Sequence, residues 1–397
     1  MFQPYEYQFA AISWMLRRFI EEQQAGAGLF LDPGLGKTSI SLAVVRALRR
    51  FAGVKKTLIV APLRVIYGVW PAEISKWQQF AGLRVSIIHG TLEERVAALQ
   101  ADADVYLINV EGLSWLVKDR IAEGLANSEV NIRSVLTRMK LDDARNAFDA
   151  GQSWVDIVSH IEPHRFPTFV GHCGLRLPFF DLLIFDESSL FKTPSAARTQ
   201  VAALLARQTR FRMILTGTPI PRSLEDLYSQ VFLLDEGEAL GKNITQYRNR
   251  WFEQLANYRG YLPKSQECVN QIYRAVAPLC LRMDAETYLD LPEITYNNVW
   301  INLDDSSRSQ YARLERDFLI ELDSGGDLLF DSEVSKYNAC RGLANGGYYH
   351  ATDGEKRETC HVHELKAEAL MELHGELQRK PLLVAYQFQH DVERILS

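Results

Sequence analysis

The chain has 397 residues, 47% of them hydrophobic and 24% charged, with a formal net charge of −6. This composition excludes a disordered, collagen-like or disulfide-scaffold protein, and no apolar run reaches the roughly 18 residues needed to span a bilayer. The charge is uneven: residues 1–283 sum to +5 and residues 284–397 to −11, so a polyanion finds its cations more readily in the first two-thirds of the chain. Cys173, Cys268, Cys280, Cys340 and Cys360 are odd in number and widely spaced, which points to a reducing interior such as the cytoplasm. Cys340, His350, Cys360, His361 and His363 lack a Cys-x-x-Cys pair and read as a polar loop before a zinc site.

In chain order, MFQPYEYQFAAISWMLRRF has no cleavable-signal pattern and reads as an amphipathic helix. Apolar, β-branched runs follow at Ala27–Leu31, Thr57–Ala61, Val85–His89, Val105–Asn109, Leu182–Phe185 and Arg212–Thr216. Helical spacing between them, as in Thr38–Phe51 and Leu92–Leu99, predicts an α/β fold with a parallel sheet covered on both faces. Residues 116–178 break the alternation. Asn131–Phe148 and Ser153–Ile161 predict helices, and His164–Pro178 is rich in His, Pro and Gly, so a helical insertion is expected there. Arg133, Arg138, Lys140 and Arg145 either face DNA or form a solvated face, and the insertion offers a surface for a protein partner.

A second series begins after Leu291–Pro292. It has predicted strands Asn298–Leu303 and Leu382–Tyr386, a helix Ser306–Leu322 and a turn Ser324–Asp327. The expected organisation is a first domain over 1–290 and an incomplete second domain over 291–397.

The chemistry concentrates at strand ends, where parallel sheets bind ligands. In Asp32-Pro-Gly-Leu-Gly-Lys-Thr-Ser39, Gly34 and Gly36 let the backbone turn its N–H groups onto phosphates. Lys37 reaches the terminal phosphates, and the Thr38 hydroxyl ligates Mg2+. The strict phosphate-loop pattern has Gly where Leu31 stands. Asp186 follows the run LLIF and can hold the same Mg2+, and Glu187 can polarise an attacking water. Leu215-Thr-Gly-Thr-Pro-Ile220 is a third strand-end loop without an acid or base of its own.

These stretches, LDPGLGKTSISL, TLIVAPLRVIYGVWPAEISKW, FDESSLFKTPSAARTQ and LTGTPIPRSLEDLYSQ, together resemble the Swi/Snf branch of helicase superfamily 2. The style is that of short bacterial or bacteriophage members. Tyr5-Glu-Tyr-Gln8 resembles the adenine-reading element, and Lys380–Leu396 resembles the element that opens a second RecA-like lobe, with Gln387 and Phe388 matching loosely. The resemblance implies a RecA-like first lobe, a partial second one, and a DNA-dependent ATPase using ATP and Mg2+, acting on duplex DNA as a monomer in a bacterial or phage-infected cell. It implies nucleotide binding by Gln8, Pro33, Gly34, Leu35, Gly36, Lys37, Thr38 and Ser39, Mg2+ binding by Thr38 and Asp186, and catalysis by Lys37, Asp186 and Glu187. Pro62, Leu63 and Arg64 would lie along a DNA backbone, and Thr216, Gly217 and Thr218 would couple the two sites. Arg64 also reads as a surface ion-pair partner, and Lys192 and Arg222 as DNA contacts or solvated cations. The family's Gly-rich and arginine-finger elements do not follow Leu396. Weak hydrolysis and a chain continuing past Ser397 are therefore expected. The competing functions are a nucleotide-controlled protein-interaction switch and an RNA-directed helicase.

Overall fold

The computed structural model describes residues 2–175, 180–254, 260–289, 295–317, 319–321, 327–329, 333–351 and 357–396. The chain folds as two units, Met1–Leu291 and Pro292–Ser397.

The first unit is built on strands β1 (Gly26–Leu31), β2 (Thr57–Ala61), β3 (Val85–Ile88), β4 (Val105–Asn109), β5 (Leu182–Asp186), β6 (Phe211–Thr216) and β7 (Cys280–Met283). They form one sheet in the order β3-β4-β2-β5-β6-β1-β7, and every pairing is parallel. Six strands coincide with the predicted apolar runs. The seventh does not, because four residues containing Arg282 carry too little pattern to read. Its position comes from pairing with β1, where Gly28 permits the approach: a Cβ there would lie 2.6 Å from Cys280 Sγ.

Alternation along the strands sorts the side chains into two layers. Leu29, Leu31, Ile59, Leu107, Ile184 and Met213 pack with helices α1 (Glu6–Leu16), α2 (Lys37–Phe51) and α3 (Trp70–Lys76). Phe30, Leu58, Val60, Ile108, Leu183 and Phe185 face the opposite way. That second layer also contains Leu116, Ile121, Leu136, Phe166 and Phe169, so the insertion helices share one apolar core with the sheet.

The predicted helix Asn131–Phe148 is two helices, Ile132–Arg138 and Asp142–Asp149. Lys140 takes φ 54°, a left-handed conformation that stops the first. The predicted Ser153–Ile161 helix covers Trp154–Ser159, and the His/Pro/Gly-rich stretch contains a helix, Phe166–Cys173. Residues 176–178 lie outside the described residues. Arg133 pairs with Asp149 and Arg145 with Asp142, each at 2.8 Å.

The second unit holds helices Asp305–Asp317, Glu333–Asn345, Leu365–Glu376 and Gln389–Leu396, with antiparallel pairs Leu319–Glu321/Asp327–Leu329 and Gly347–Ala351/Arg357–His361. The predicted helix Ser306–Leu322 therefore ends at Asp317, and part of the predicted turn, residues 324–326, lies outside the described residues. Asn298–Leu303 and Leu382–Tyr386 are not strands. β-branched sequence makes a strand only where a neighbour completes the ladder, and among the described residues neither segment has one. Val299, Trp300 and Leu383 are exposed, and Val299, Ile301, Ala385 and Tyr386 line a cavity of about 580 Å³ with Leu370 and Leu373. No helix among the described residues is long and apolar enough to cross a membrane.

Arg394 ties the second unit together by donating to His363 O (2.9 Å), Asn345 O (2.7 Å) and Asp391 Oδ1 (2.9 Å). Beside it, the His363 ring is buried against the Leu343 backbone, and Nε2 of His390 is buried without a hydrogen-bond partner. Burial lowers both imidazole pKa values, against the opposing charges of Asp304 and Asp391. An imidazole with a depressed folded pKa stabilises the fold above its unfolded value of about 6.5, and the contribution is lost as pH falls through the folded value. Amide hydrogen exchange in Glu333–Asn345, corrected for intrinsic rates, is therefore expected to accelerate between about pH 7.5 and 5.5. His390→Phe should remove part of that dependence; unchanged protection across the range would refute it.

Candidate nucleotide site

The loops after β1, β2, β5 and β6 leave the same edge of the sheet because all the strands run in parallel. Register places Phe30 opposite Thr216, Asp186 opposite Leu215 and Val60 opposite Phe185. The residues expected to bind nucleotide and Mg2+ are thereby gathered at one place.

In the first loop, Gly34 and Gly36 adopt φ 90° and 81°, conformations strained for any residue with a Cβ. A Cβ on Gly36 would also lie 2.5 Å from Gln8 Nε2. Gln8 is buried; its Nε2 donates to Leu35 O (3.2 Å) and its Oε1 accepts from Tyr5 N (3.1 Å). The side chain expected to read adenine thus also braces the phosphate loop. Ser39 Oγ donates to Gly36 O, Pro33 and Gly34 are exposed, and Leu35 is buried. Asp32 Oδ2 accepts from Ala285 N at 2.9 Å, fastening the loop to the chain beyond β7.

Helix α2 starts from this loop with no side-chain cap, no acid in its first turn, and Lys37 as its first residue. The Lys37 ammonium folds back onto Leu31 O (2.8 Å) and Asp32 O (3.5 Å). Burial lowers its pKa, opposed by the charges of Glu187, Asp186 and Asp32. Thr38 is half-buried beside it.

Asp186 is buried at the end of β5. Its Oδ2 accepts from Trp70 Nε1 (2.9 Å) and its Oδ1 from Glu187 N (3.1 Å). Burial raises its pKa, and the Trp70 N–H and Lys37 charge work against the rise. Glu187 is half-buried and takes φ 55°, a left-handed strain of the kind that collects at functional sites.

The third loop touches the first, since a Cβ on Gly217 would lie 3.1 Å from Pro33 Cδ. Thr216 is buried and its Oγ1 accepts from Thr218 N at 3.1 Å, while Thr218 is exposed. After β2, Pro62 is half-buried and Leu63 and Arg64 are exposed. Arg64 makes no ion pair among the described residues. Lys192 is half-buried and its carbonyl accepts from Ser229 Oγ, whereas Arg222 is exposed. Gln387 and Phe388 lie in the second unit, where Gln387 accepts from Arg341 and Phe388 stacks on His390 at 5.2 Å. No group of three His, Cys, Asp or Glu among the described residues is placed to hold a metal.

Two buried residues of the site escaped the sequence reading. Trp70 sits at helical spacing with Ile66 and Ile74 and reads as core; only the structure shows its N–H on Asp186. Gln230 lies in helix α4 (Asp226–Asp235), fully buried. Its Oε1 accepts from Ser188 Oγ (2.8 Å), and its Nε2 donates to Pro219 O (2.7 Å) and Asp226 O (2.7 Å). It bridges the Asp-Glu loop to the Thr-Gly-Thr loop. A lone amide within the apolar run LYSQVFLL was the available signal.

The SNF2-related domain matches residues 7–333, so the chain belongs to that family of superfamily 2 ATPases. Protein p41 of Acyrthosiphon pisum secondary endosymbiont phage 1 is 27% identical over the whole chain, which spans 74% of that protein. Zorya protein ZorD of Escherichia coli O139:H28 is 24% identical over 72% of the chain, and the match spans 23% of its length. The solved Sulfolobus solfataricus SWI2/SNF2 ATPase core in complex with dsDNA superposes over 99% of this chain and 70% of its own, with a TM-score of 0.50 and 18% identity. That likeness establishes the RecA-like fold.

Gln230→Leu leaves the buried Ser188 hydroxyl and the half-buried Pro219 carbonyl without their partner. Denaturant unfolding is expected to show a loss of about 2–3 kcal/mol. Adding Ser188→Ala, which removes the stranded hydroxyl, should return roughly 1 kcal/mol.

Proposed function

From its membership of an ATPase family, we propose that the chain binds Mg2+·ATP at the edge formed by the loops after β1, β5 and β6 and couples its hydrolysis to movement along duplex DNA. The observation that carries this reading is the start of α2. A lysine at the first position of a helix opposes the macrodipole, and here the helix has neither a side-chain cap nor an acid in its first turn. Such an end is satisfied when an anion sits on its N–H groups and shares the lysine charge.

The donor set fits Mg2+·ATP. The N–H groups of the loop and of the first turn of α2 bind phosphate oxygens, with Lys37 swinging from the carbonyls of Leu31 and Asp32 to the terminal phosphate. The Thr38 hydroxyl and the Asp186 carboxylate hold Mg2+. Bound nucleotide supplies the phosphoanhydride bond whose cleavage drives the cycle. Glu187, one residue from Asp186, accepts the proton of the attacking water. Gln8, bonded to Leu35 O beside the loop, would read the adenine.

Pro62, Leu63 and Arg64 form the DNA-facing loop, supported by the exposure of Arg64 and its lack of an ion pair among the described residues. The complex of the Sulfolobus ATPase core with dsDNA supports a duplex partner, and the phage origin of p41 supports action in the cytoplasm of an infected bacterium. The segment 291–397 belongs to the second lobe.

The test is binding of a methylanthraniloyl ATP analogue, followed by ATP hydrolysis with no nucleic acid, duplex DNA, single-stranded DNA or RNA. Wild type should bind in a Mg2+-dependent manner, and Lys37→Ala should weaken binding about tenfold to a hundredfold, the worth of one contact to a charged group. Turnover stimulated most by duplex is expected. Stimulation by RNA alone would make it an RNA-directed enzyme, and nucleotide binding without turnover under every condition would favour a switch.

A further inference from the structure

Between the proposed DNA loop and α3 the chain does not break. From Leu63 to Lys76 it is one helical run, π-helical over Val65–Val69 and α-helical from Trp70. π-helical turns inside helices gather at functional sites. The run has two faces. Arg64, Tyr67 and Gly68 are exposed, and the Tyr67 hydroxyl lies 3.0 Å from His89 Nδ1. Ile66, Trp70 and Ile74 are buried on the opposite side.

Trp70 is fully buried, yet it carries one polar group, and that N–H is directed at Asp186 Oδ2, 2.9 Å away. The other carboxylate oxygen accepts from Glu187 N. The orientation of the Asp186 carboxylate is therefore set jointly by its own chain and by a side chain six residues along the same helical run from Arg64. A buried indole needs a partner for its N–H, and it could have found a backbone carbonyl. Here it holds the carboxylate instead.

We infer that Trp70 is a positioning residue for the Mg2+ aspartate, and that its N–H links the Arg64 loop to the nucleotide site through the rigid run Leu63–Lys76. The inference rests on the reading of Asp186 as a Mg2+ ligand and of residues 62–64 as the DNA loop. A shift of the run when its outer face engages a duplex moves the indole on its inner face. That movement changes how Asp186 presents its oxygens. By reciprocity, filling the metal site restrains the same helix.

The experiment uses the full chain and titrates Mg2+ against binding of methylanthraniloyl ATP, with and without a saturating duplex oligonucleotide. Trp70→Phe keeps a ring and removes the donor. It is expected to raise the Mg2+ half-saturation about tenfold or more, the usual loss when a group that orients a metal ligand is removed, and to abolish the shift that duplex causes in wild type. Ile74→Val loosens the same packing without touching the N–H and should leave both quantities unchanged. Should Trp70→Phe not fold, 3-benzothienylalanine at position 70 preserves the shape of the indole and lacks only the N–H. Unchanged Mg2+ dependence in the donorless variant overturns the positioning role. A duplex shift that persists in that variant, or is absent in wild type, overturns the link. Wild type that binds no analogue defeats the functional reading itself, which separates the two failures.

Discussion

Everything in the first unit depends on seven strands pointing one way. A parallel sheet delivers each carboxyl end to the same edge, so residues as distant in sequence as Lys37, Asp186 and Thr216 meet without any long-range adjustment. The sheet also fixes their spacing through register, since Asp186 and Thr216 sit on adjacent strands one step apart. The two apolar layers keep that edge rigid. The insertion contributes to this layer: its helices share the apolar cluster that holds Leu183 and Phe185.

At that edge, buried polar contacts join one loop to the next. Gln8 holds the phosphate loop at Leu35, Trp70 holds Asp186, and Gln230 joins Ser188 to Pro219. Each of these side chains is shielded from solvent, where an unmade hydrogen bond is costly. The loops therefore move as a set, since breaking one link strands a donor or acceptor on its neighbour. This is the property a machine needs if events at one loop are to be felt at another.

The parts that could be read from sequence were those with a local cause. Apolar runs gave six strands because burial on both faces leaves a continuous signature, and the glycines of the first loop were visible because only glycine tolerates their backbone. β7 was hidden because its place is decided by a distant partner at Gly28. The strands expected at Asn298–Leu303 and Leu382–Tyr386 failed for the reverse reason: their residues suit a sheet, but among the described residues no ladder is there to receive them. Within the site, charged and glycine-rich positions were legible, whereas Trp70 and Gln230 looked like ordinary occupants of apolar helices. Their roles come from one polar group each, and a pattern of apolar spacing carries no record of where that group points.

The folded-back ammonium of Lys37 has a further consequence. With Nζ resting on Leu31 O and Asp32 O, the loop stores its cation inside its own backbone. A weak or singly charged anion gains little by prising it out, because it must replace two carbonyl contacts already made. Only a ligand that simultaneously fills the helix end and offers the lysine a concentrated negative charge wins the exchange. A cation at a helix start is thereby held within the loop until a ligand of that kind arrives.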